Sequence, residues 1–252
     1  MAKSILSENS VRRISCDGAK VYKEFVRDFP KDEVFHEAFV NARVESIAGS
    51  IVPAVLEVRE SSENEGCLVL VRAYVPGRTL LELMEENPEK TDEYLDMMLS
   101  LQLELQRLDA SMLESLKDKM ARQINSLSEI DEGTRYELLT RLSSAPTHTK
   151  LCHGDFRPEN IIVDDEGKCH VIDWVHATGG NASADIARTC LILALRDKKL
   201  SEKYLDMFCE RTATDKSYVW NFFPVVAAAQ LTKKRPEEEA ELKAQLNICD
   251  HM

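Results

Sequence analysis

The sequence predicts an α+β fold in two lobes: a small antiparallel sheet with one helix over residues 1–75, then a mostly helical lobe over residues 76–252. Three observations carry that prediction. Strand and turn signals dominate the first 75 residues. Beyond them, apolar positions recur at helical spacing behind repeated helix-start signals. One later stretch breaks the helical pattern. Leu151 to Trp174, LCHGDFRPENIIVDDEGKCHVIDW, reads as a loop, a short strand, a tight polar turn and a second strand. A chain of 252 residues, 44% hydrophobic and 30% charged, is long enough to bury a sizeable core.

In the first lobe, SVRRI, CDG and AKVYKEF read as strand, turn and strand, with Asp17–Gly18 as the hairpin signal. Alternation puts Val21, Lys23 and Phe25 on one face and Tyr22 and Glu24 on the other. An ammonium on an apolar face needs an anionic partner; the alternative is that Lys23 snorkels to solvent from an edge strand. Next, KDEVFHEAFVNARVESIAG carries helical spacing at Val34, Ala38, Phe39 and Ala42 and stops at Gly49. Glu37 is the candidate partner of Lys23 on that helix, with Glu33 and Glu45 as competitors. IVPAVLEVRE and CLVLVRAYVPG then read as two strands joined by an acidic turn. Ahead of SVRRI the chain leaves so little room that a first strand looks abbreviated or absent.

In the second lobe, Thr79-x-x-Glu82 is a capping box opening a short helix that stops near Pro88. Thr91 to Ala110 carries the stripe Tyr94, Met98, Leu101, Leu105 and Leu108. Ser111-x-x-Glu114 and Thr134-x-x-Glu137 are expected to start further helices, the second ending at Pro146. After Asp185, helices are expected over IARTCLILAL, Ser201 to Arg211 and Tyr218 to Leu231. Pro236 with Glu237, Glu238 and Glu239 makes a further helix start, since proline suits the first turn and carboxylates suit the dipole.

The chemistry concentrates in Leu151–Trp174. Ile161 to Val163 form one strand, Asp164 to Lys168 the turn, and Val171 and Ile172 the return. Asp155 and Asn160 precede this hairpin and Asp173 follows it. Two carboxylates and an amide are what phosphoryl transfer from a nucleotide requires. One carboxylate receives the proton of the attacking hydroxyl; the other, with an amide oxygen, holds the ion that neutralises the phosphates. A structural alternative is that Asp155 caps a turn and Asp173 ends a strand.

HGDFRPEN followed by IDW, with ADIART at Ala184 to Thr189, resembles the catalytic loop and metal motif of the aminoglycoside phosphotransferase and choline kinase family. Those are small-molecule kinases with a bilobal protein-kinase-like fold. The resemblance implies that Asp155 is the catalytic base, that His153 supports its loop, that Asp185 braces the loop, and that Asn160 and Asp173 hold magnesium (Mg2+). It implies ATP as the phosphoryl donor, with GTP also open. Lys23 would grip the phosphates, oriented by Glu37, and the backbone of Arg72, Ala73 and Tyr74 would meet the adenine. Trp174 in place of Phe-Gly, and no Ala-Pro-Glu downstream, argue against a reduced protein kinase. The chain departs from the family pattern in its first residues. No G-x-G-x-x-G is present, nor a Walker A pattern, and Ser7 to Ser10 would be left to cover the phosphates. That gap favours a non-catalytic nucleotide-binding protein; the intact Lys23, Asp155, Asn160 and Asp173 argue against it.

A net charge of −12 argues against nucleic acid as a partner and is compatible with a cationic small-molecule hydroxyl acceptor. Seven scattered cysteines without a Cys-x-x-Cys pair read as a reduced, cytoplasmic chain. Cys152–His153 and Cys169–His170 belong to the kinase-like pattern and do not read as a zinc site. No signal-peptide pattern or membrane-length apolar run is present.

Overall fold

Residues 3–246 are described in the structure, a computed structural model. The chain divides into two compact units, Met1–Pro88 with Pro158–His176 and Glu89–Arg157 with Ala177–Met252.

In the first unit, five antiparallel strands lie in the order β1 (Ser4–Glu8), β2 (Arg12–Cys16), β3 (Lys20–Phe25), β5 (Leu68–Ala73) and β4 (Val55–Glu60). Helix α1 (Lys31–Ala48) follows β3 and stops at Gly49 at φ 62°. The core gathers Phe25, Val34 and Leu70, with Phe29, Ala38, Val55, Val58 and Leu68 packed against them. Register pairs Ile14 with Lys23 and Lys23 with Leu70, and likewise Arg12 with Phe25 and Val21 with Arg72. Directly opposed residues share a face and alternate residues return to it. Arg12, Lys23 and Arg72 therefore project from one face of the sheet, with Lys23 Nζ 5.3 Å from the Phe25 ring centre.

Two expectations need correction in this unit, the length of the first strand and the inward face of α1. The first strand is present in full as β1. It is exposed along its whole length and so lacks the alternation that would reveal it. Ser7 and Glu8 end β1, and Asn9 and Ser10 make the turn into β2. Asn9 closes a tight turn in which its Oδ1 accepts from the N–H groups of Val11 and Arg12, both at 2.9 Å. On α1, Phe39 and Ala42 face solvent, while Val34, Glu37, Val40, Asn41 and Val44 are buried. Two polar side chains occupy the inward stripe, so apolar periodicity alone points to the wrong face.

A second sheet in this unit joins β6 (Arg78–Thr79), β8 (Ile161–Val163) and β9 (Cys169–Val171). The catalytic-motif hairpin thus belongs with residues 1–88, not with the helical region expected from residue 76. Arg78 pairs with Val163, and α2 (Leu80–Glu86) packs on the turn Pro158–Asn160. Helix α2 has the expected capping box: Glu82 N–H donates to Thr79 Oγ1 at 3.2 Å and Thr79 N–H to Glu82 Oε2 at 2.7 Å.

The second unit holds α3 (Thr91–Leu105), α4 (Leu116–Ser126), α5 (Glu132–Ser144), β7 (Lys150–Cys152), β10 (Thr178–Gly180), α6 (Ala182–Ala194), α7 (Lys198–Thr212), α8 (Lys216–Trp220), α9 (Phe223–Leu231) and α10 (Pro236–Leu246). Strand β7 pairs with β10, and every residue from Ala182 to Leu193 on α6 is buried. Two helix starts differ from expectation. Helix α4 is capped by Ser115, not Ser111, and α5 by Asp131, one turn before Thr134. The span expected as one helix over Tyr218–Leu231 is two, because Pro224 begins a new helix. Among the described residues no helix is long and apolar enough to cross a membrane.

Gly77 lies where a Cβ would stand 2.3 Å from the Val163 carbonyl oxygen, at φ 140°. Gly18 also has positive φ but open space around it. Urea denaturation should therefore show Gly77→Ala losing roughly 2–4 kcal/mol, strain plus overpacking, and Gly18→Ala about 1 kcal/mol. Equal losses would deny the close approach of β6 to β8.

Candidate active site

Lys23, Glu37, Asn160, Asp173 and the Arg72–Tyr74 segment all stand in the first unit. Lys23 is 1% exposed. Its ammonium donates to both Glu37 carboxylate oxygens, at 2.7 and 2.6 Å, and lies 3.8 Å from Asp173 Oδ1. Glu37 is thus the partner; Glu45 is engaged elsewhere, accepting from Val55 N–H at 3.1 Å. Burial lowers the pKa of Lys23, opposed by Glu37 and Asp173 and reinforced by Arg12 and Arg72. Burial would raise Asp173, but Lys23, Arg12, Arg72 and His176 together hold its carboxyl below the usual range.

The hairpin brings the two candidate metal-holding residues of this unit side by side. Ile161 pairs with Val171, and Ile172 N–H donates to the Asn160 carbonyl at 2.9 Å. Asp173 comes next, at φ 65°, and Trp174 is fixed by its indole N–H donating to Val171 O at 2.8 Å. A carboxylate and an amide supply hard oxygen donors, which suit magnesium. Among the described residues no group of three or more His, Cys, Asp and Glu side chains is placed to hold a metal ion.

At the expected adenine contact, Ala73 N–H donates to Ala54 O at 2.9 Å and Tyr74 N–H to Ala19 O at 3.0 Å. Both donors are engaged within the unit. The buried Arg72 side chain instead adds charge beside Asp173.

Asp155, His153 and Asp185 stand in the second unit. The loop leaves β7 through Gly154 at φ 77°, a conformation suited to glycine. Gly154 N–H donates to Asp185 Oδ1 at 2.8 Å, and Gln102 Nε2 donates to Asp185 Oδ2 at 2.8 Å. Gln102 is itself fixed by the Tyr204 hydroxyl, which donates to its Oε1 at 2.7 Å. His153 Nδ1 accepts from Asp155 N–H at 3.2 Å, and its ring meets Phe156 edge-on.

Asp155 is 4% exposed and its carboxylate lies among cations. Arg188 Nη2 donates to Oδ1 at 3.0 Å, Arg235 Nη1 lies 3.8 Å from the same oxygen, and Arg157 Nε lies 3.9 Å from Oδ2. Burial would raise its pKa, but Arg157, Arg188, Lys233 and Arg235 hold it well below the usual carboxylate range. Arg188 also grips Glu238 at 2.7 and 3.2 Å, and Arg235 donates to Glu238 at 2.8 Å. Glu238, expected as a dipole-favouring residue of a helix start, is instead 2% exposed inside this network.

Sequence reasoning missed Arg12 and the Arg72 side chain in the first unit, and Arg188, Lys233, Arg235 and Glu238 in the second. Arg188 had a readable signal, lying three residues after Asp185 on the same helix face. Arg12 had one as well, by strand alternation. Lys233, Arg235 and Glu238 reach the loop from about 80 residues away in sequence, with no local pattern.

The family model described as the phosphotransferase enzyme family matches residues 8–220. A thermostable mutant of aminoglycoside phosphotransferase APH(4)-Ia in its apo form is similar at 17% identity and a TM-score of 0.72, over 98% of this chain and 93% of that one. Another thermostable mutant, in ternary complex with AMP-PNP and hygromycin B, is similar at 17% identity and a TM-score of 0.72, over 98% and 91%. Choline kinase LicA from Streptococcus pneumoniae is similar at 16% identity and a TM-score of 0.60, over 96% and 86%. At these identities the likeness is one of fold, the protein-kinase-like arrangement. Comparison with curated proteins finds no match.

The Arg188–Glu238 contact makes a pH-dependent contribution with a definite sign. Burial opposes ionisation of Glu238, but hydrogen bonds from Arg188 and Arg235 bring its pKa down to about 2 from 4.5. A carboxylate depressed on folding stabilises the fold above its unfolded value, and that stability is lost as the pH falls through the folded one. Urea midpoints of the wild type should therefore fall more steeply between about pH 5 and 2 than those of Glu238→Gln, since the amide does not titrate. Parallel pH profiles would remove Glu238 from the network.

Proposed function

Because the chain belongs to the phosphotransferase enzyme family, we propose that it moves the γ-phosphoryl group of ATP, or of GTP, to a hydroxyl of a small molecule. The observation that carries this reading is the buried Lys23–Glu37 pair with Asp173 at 3.8 Å. An ammonium fixed by a helix carboxylate, next to a second carboxylate after a hairpin, is the arrangement that protein kinases use on nucleotide phosphates. Arg12 and Arg72 add positive charge to the same face. Asn160 and Asp173 would hold magnesium through oxygen, and the bound ion would neutralise charge on the phosphates.

In the second unit, Asp155 orients the acceptor hydroxyl and receives its proton. Its carboxyl is held low by surrounding arginines, so it remains ionised at neutral pH and takes the proton late in the transfer. This suits a loose transition state in which bonding to the acceptor lags behind cleavage of the leaving group. Asp185 and His153 position the loop. Positioning and electrostatics supply most of such catalysis, so few residues define it. The ternary complex of the APH(4)-Ia mutant with AMP-PNP and hygromycin B supports a nucleotide and a small hydroxylated acceptor for this fold. The Asn9 turn consumes the N–H groups of Val11 and Arg12. Lys23 and its neighbours are the groups on this face that carry charge for the phosphates.

Asp155→Asn keeps size and most hydrogen bonding but removes the proton acceptor. Transfer of radiolabelled phosphate should fall by about a hundredfold or more while AMP-PNP affinity stays near wild type. Undiminished turnover would sink the assignment. Lys23→Met keeps the apolar stem and removes the ammonium. In titration calorimetry it should weaken ATP by about tenfold or more, the scale of a charge-assisted hydrogen bond, and leave adenosine little changed. Equal losses for both would make Lys23 a support of the fold only.

A further inference from the structure

Around Asp155 the second unit gathers more positive charge than its carboxylates offset. Arg157, Arg188 and Arg235 all lie within 4 Å of Asp155. Lys233, just after the end of α9, is close enough for Asp155, Arg188, Arg235 and Lys119 to act on its charge. Lys119 is partly offset by Glu114. Against Arg157, Arg188, Lys233 and Arg235 stand, among the described residues, Asp155 and Glu238, both already in contact with Arg188, and Glu237, which acts on Arg235 alone.

Three nitrogens of this group, Arg157 Nε, Arg188 Nε and Lys233 Nζ, are shielded from solvent and make no hydrogen bond among the described residues. Buried donors of that kind are costly and rare, above all on a charged group. Burial and the neighbouring Arg188 bring the Lys233 pKa down to about 7 from 10.5, so the site resists the cation it contains. A negatively charged ligand group would meet these donors and relieve their mutual repulsion. A cationic one would add to it.

We propose that the acceptor hydroxyl belongs to an anionic compound, one bearing a carboxylate or a phosphate ester, whose charged group is bound by Lys233 with Arg157 and Arg235 beside Asp155. The proposal rests on the phosphotransferase reading, which makes Asp155 the place where the hydroxyl reacts. It reverses the expectation drawn from the net charge of −12. The field at the acceptor is set by residues within a few ångströms, not by the whole chain, because distant charges are screened over about 10 Å.

Thermal unfolding of the full chain tests this, with saturating AMP-PNP and magnesium so that the nucleotide site is filled. Inorganic phosphate and acetate are the anionic probes and choline the cationic one, each against sodium chloride at equal ionic strength. Phosphate or acetate should raise the wild-type Tm and choline should not. Lys233→Met, which removes a buried unpaired charge, should have a higher Tm than wild type without additives, and should lose the anion-induced gain. The variant's affinity for AMP-PNP should match the wild type. Any of four results overturns the proposal: no gain from either anion, a gain from choline alone, an anion gain undiminished in Lys233→Met, or AMP-PNP affinity weakened about tenfold by that substitution, which would assign the cations to the nucleotide. Failure of wild type to bind AMP-PNP at all would instead defeat the phosphotransferase reading, and is read in the same titration.

Discussion

The second unit is organised by a buried carboxylate that has no ion-pair partner within 4 Å among the described residues. Asp185 sits in the first turn of α6 and is stabilised by the N–H of Gly154, the amide of Gln102 and the favourable end of the helix dipole. Such a charge persists only if every hydrogen bond is made, so its partners are constrained in turn. Gly154 must hold its left-handed conformation, and Gln102 must hold its rotamer under Tyr204. One helical turn later, Arg188 reaches the Asp155 side chain itself. Helix α6 therefore fixes the loop at two adjoining points, the Gly154 backbone through Asp185 and the Asp155 carboxylate through Arg188. With every residue from Ala182 to Leu193 buried, α6 is held on all sides.

The first unit applies the same economy to its cations. Lys23 is tolerable on an apolar face only because Glu37 projects from α1 to meet it, and that requires a polar residue on the inward stripe of the helix. Asn41, one turn further on, donates back to the Glu37 carbonyl at 2.9 Å. The apolar pattern of α1 is consequently blurred where the chemistry is placed.

That blurring explains what could be read from the sequence. Strand alternation places Lys23 on the inward face, and the polar turn between Val163 and Val171 places Asn160 and Asp173 on either side of a hairpin, because local geometry dictates both. Glu37 could be chosen over Glu33 and Glu45 by its position along the helix. Strand β1 stayed hidden because an exposed edge strand buries nothing and need not alternate. The starts of α4 and α5 were misjudged because Ser111 and Thr134 compete with the equally suitable Ser115 and Asp131, and only tertiary packing decides between them. Arg235 and Glu238 were illegible as site residues. A proline followed by three glutamates is sufficiently explained by helix capping, and nothing local says that one of those glutamates turns inward.

The placement of Lys233, Arg235 and Glu238 has a bearing on how such proteins diverge. The three lie within six residues, between α9 and the first turn of α10, while the loop and the α6 residues that hold it lie within residues 153–188. A few substitutions in that short stretch would change the sign and reach of the field over Asp155 without disturbing the Asp185–Gly154 bond or the Lys23–Glu37 pair. On the proposed reading, most of the acceptor's charge recognition and the reaction machinery would lie in separable parts of the chain, with Arg157 alone shared between them. A lineage built this way would be able to change its acceptor through one short connector while the Asp185–Gly154 bond and the Lys23–Glu37 pair stayed as they are.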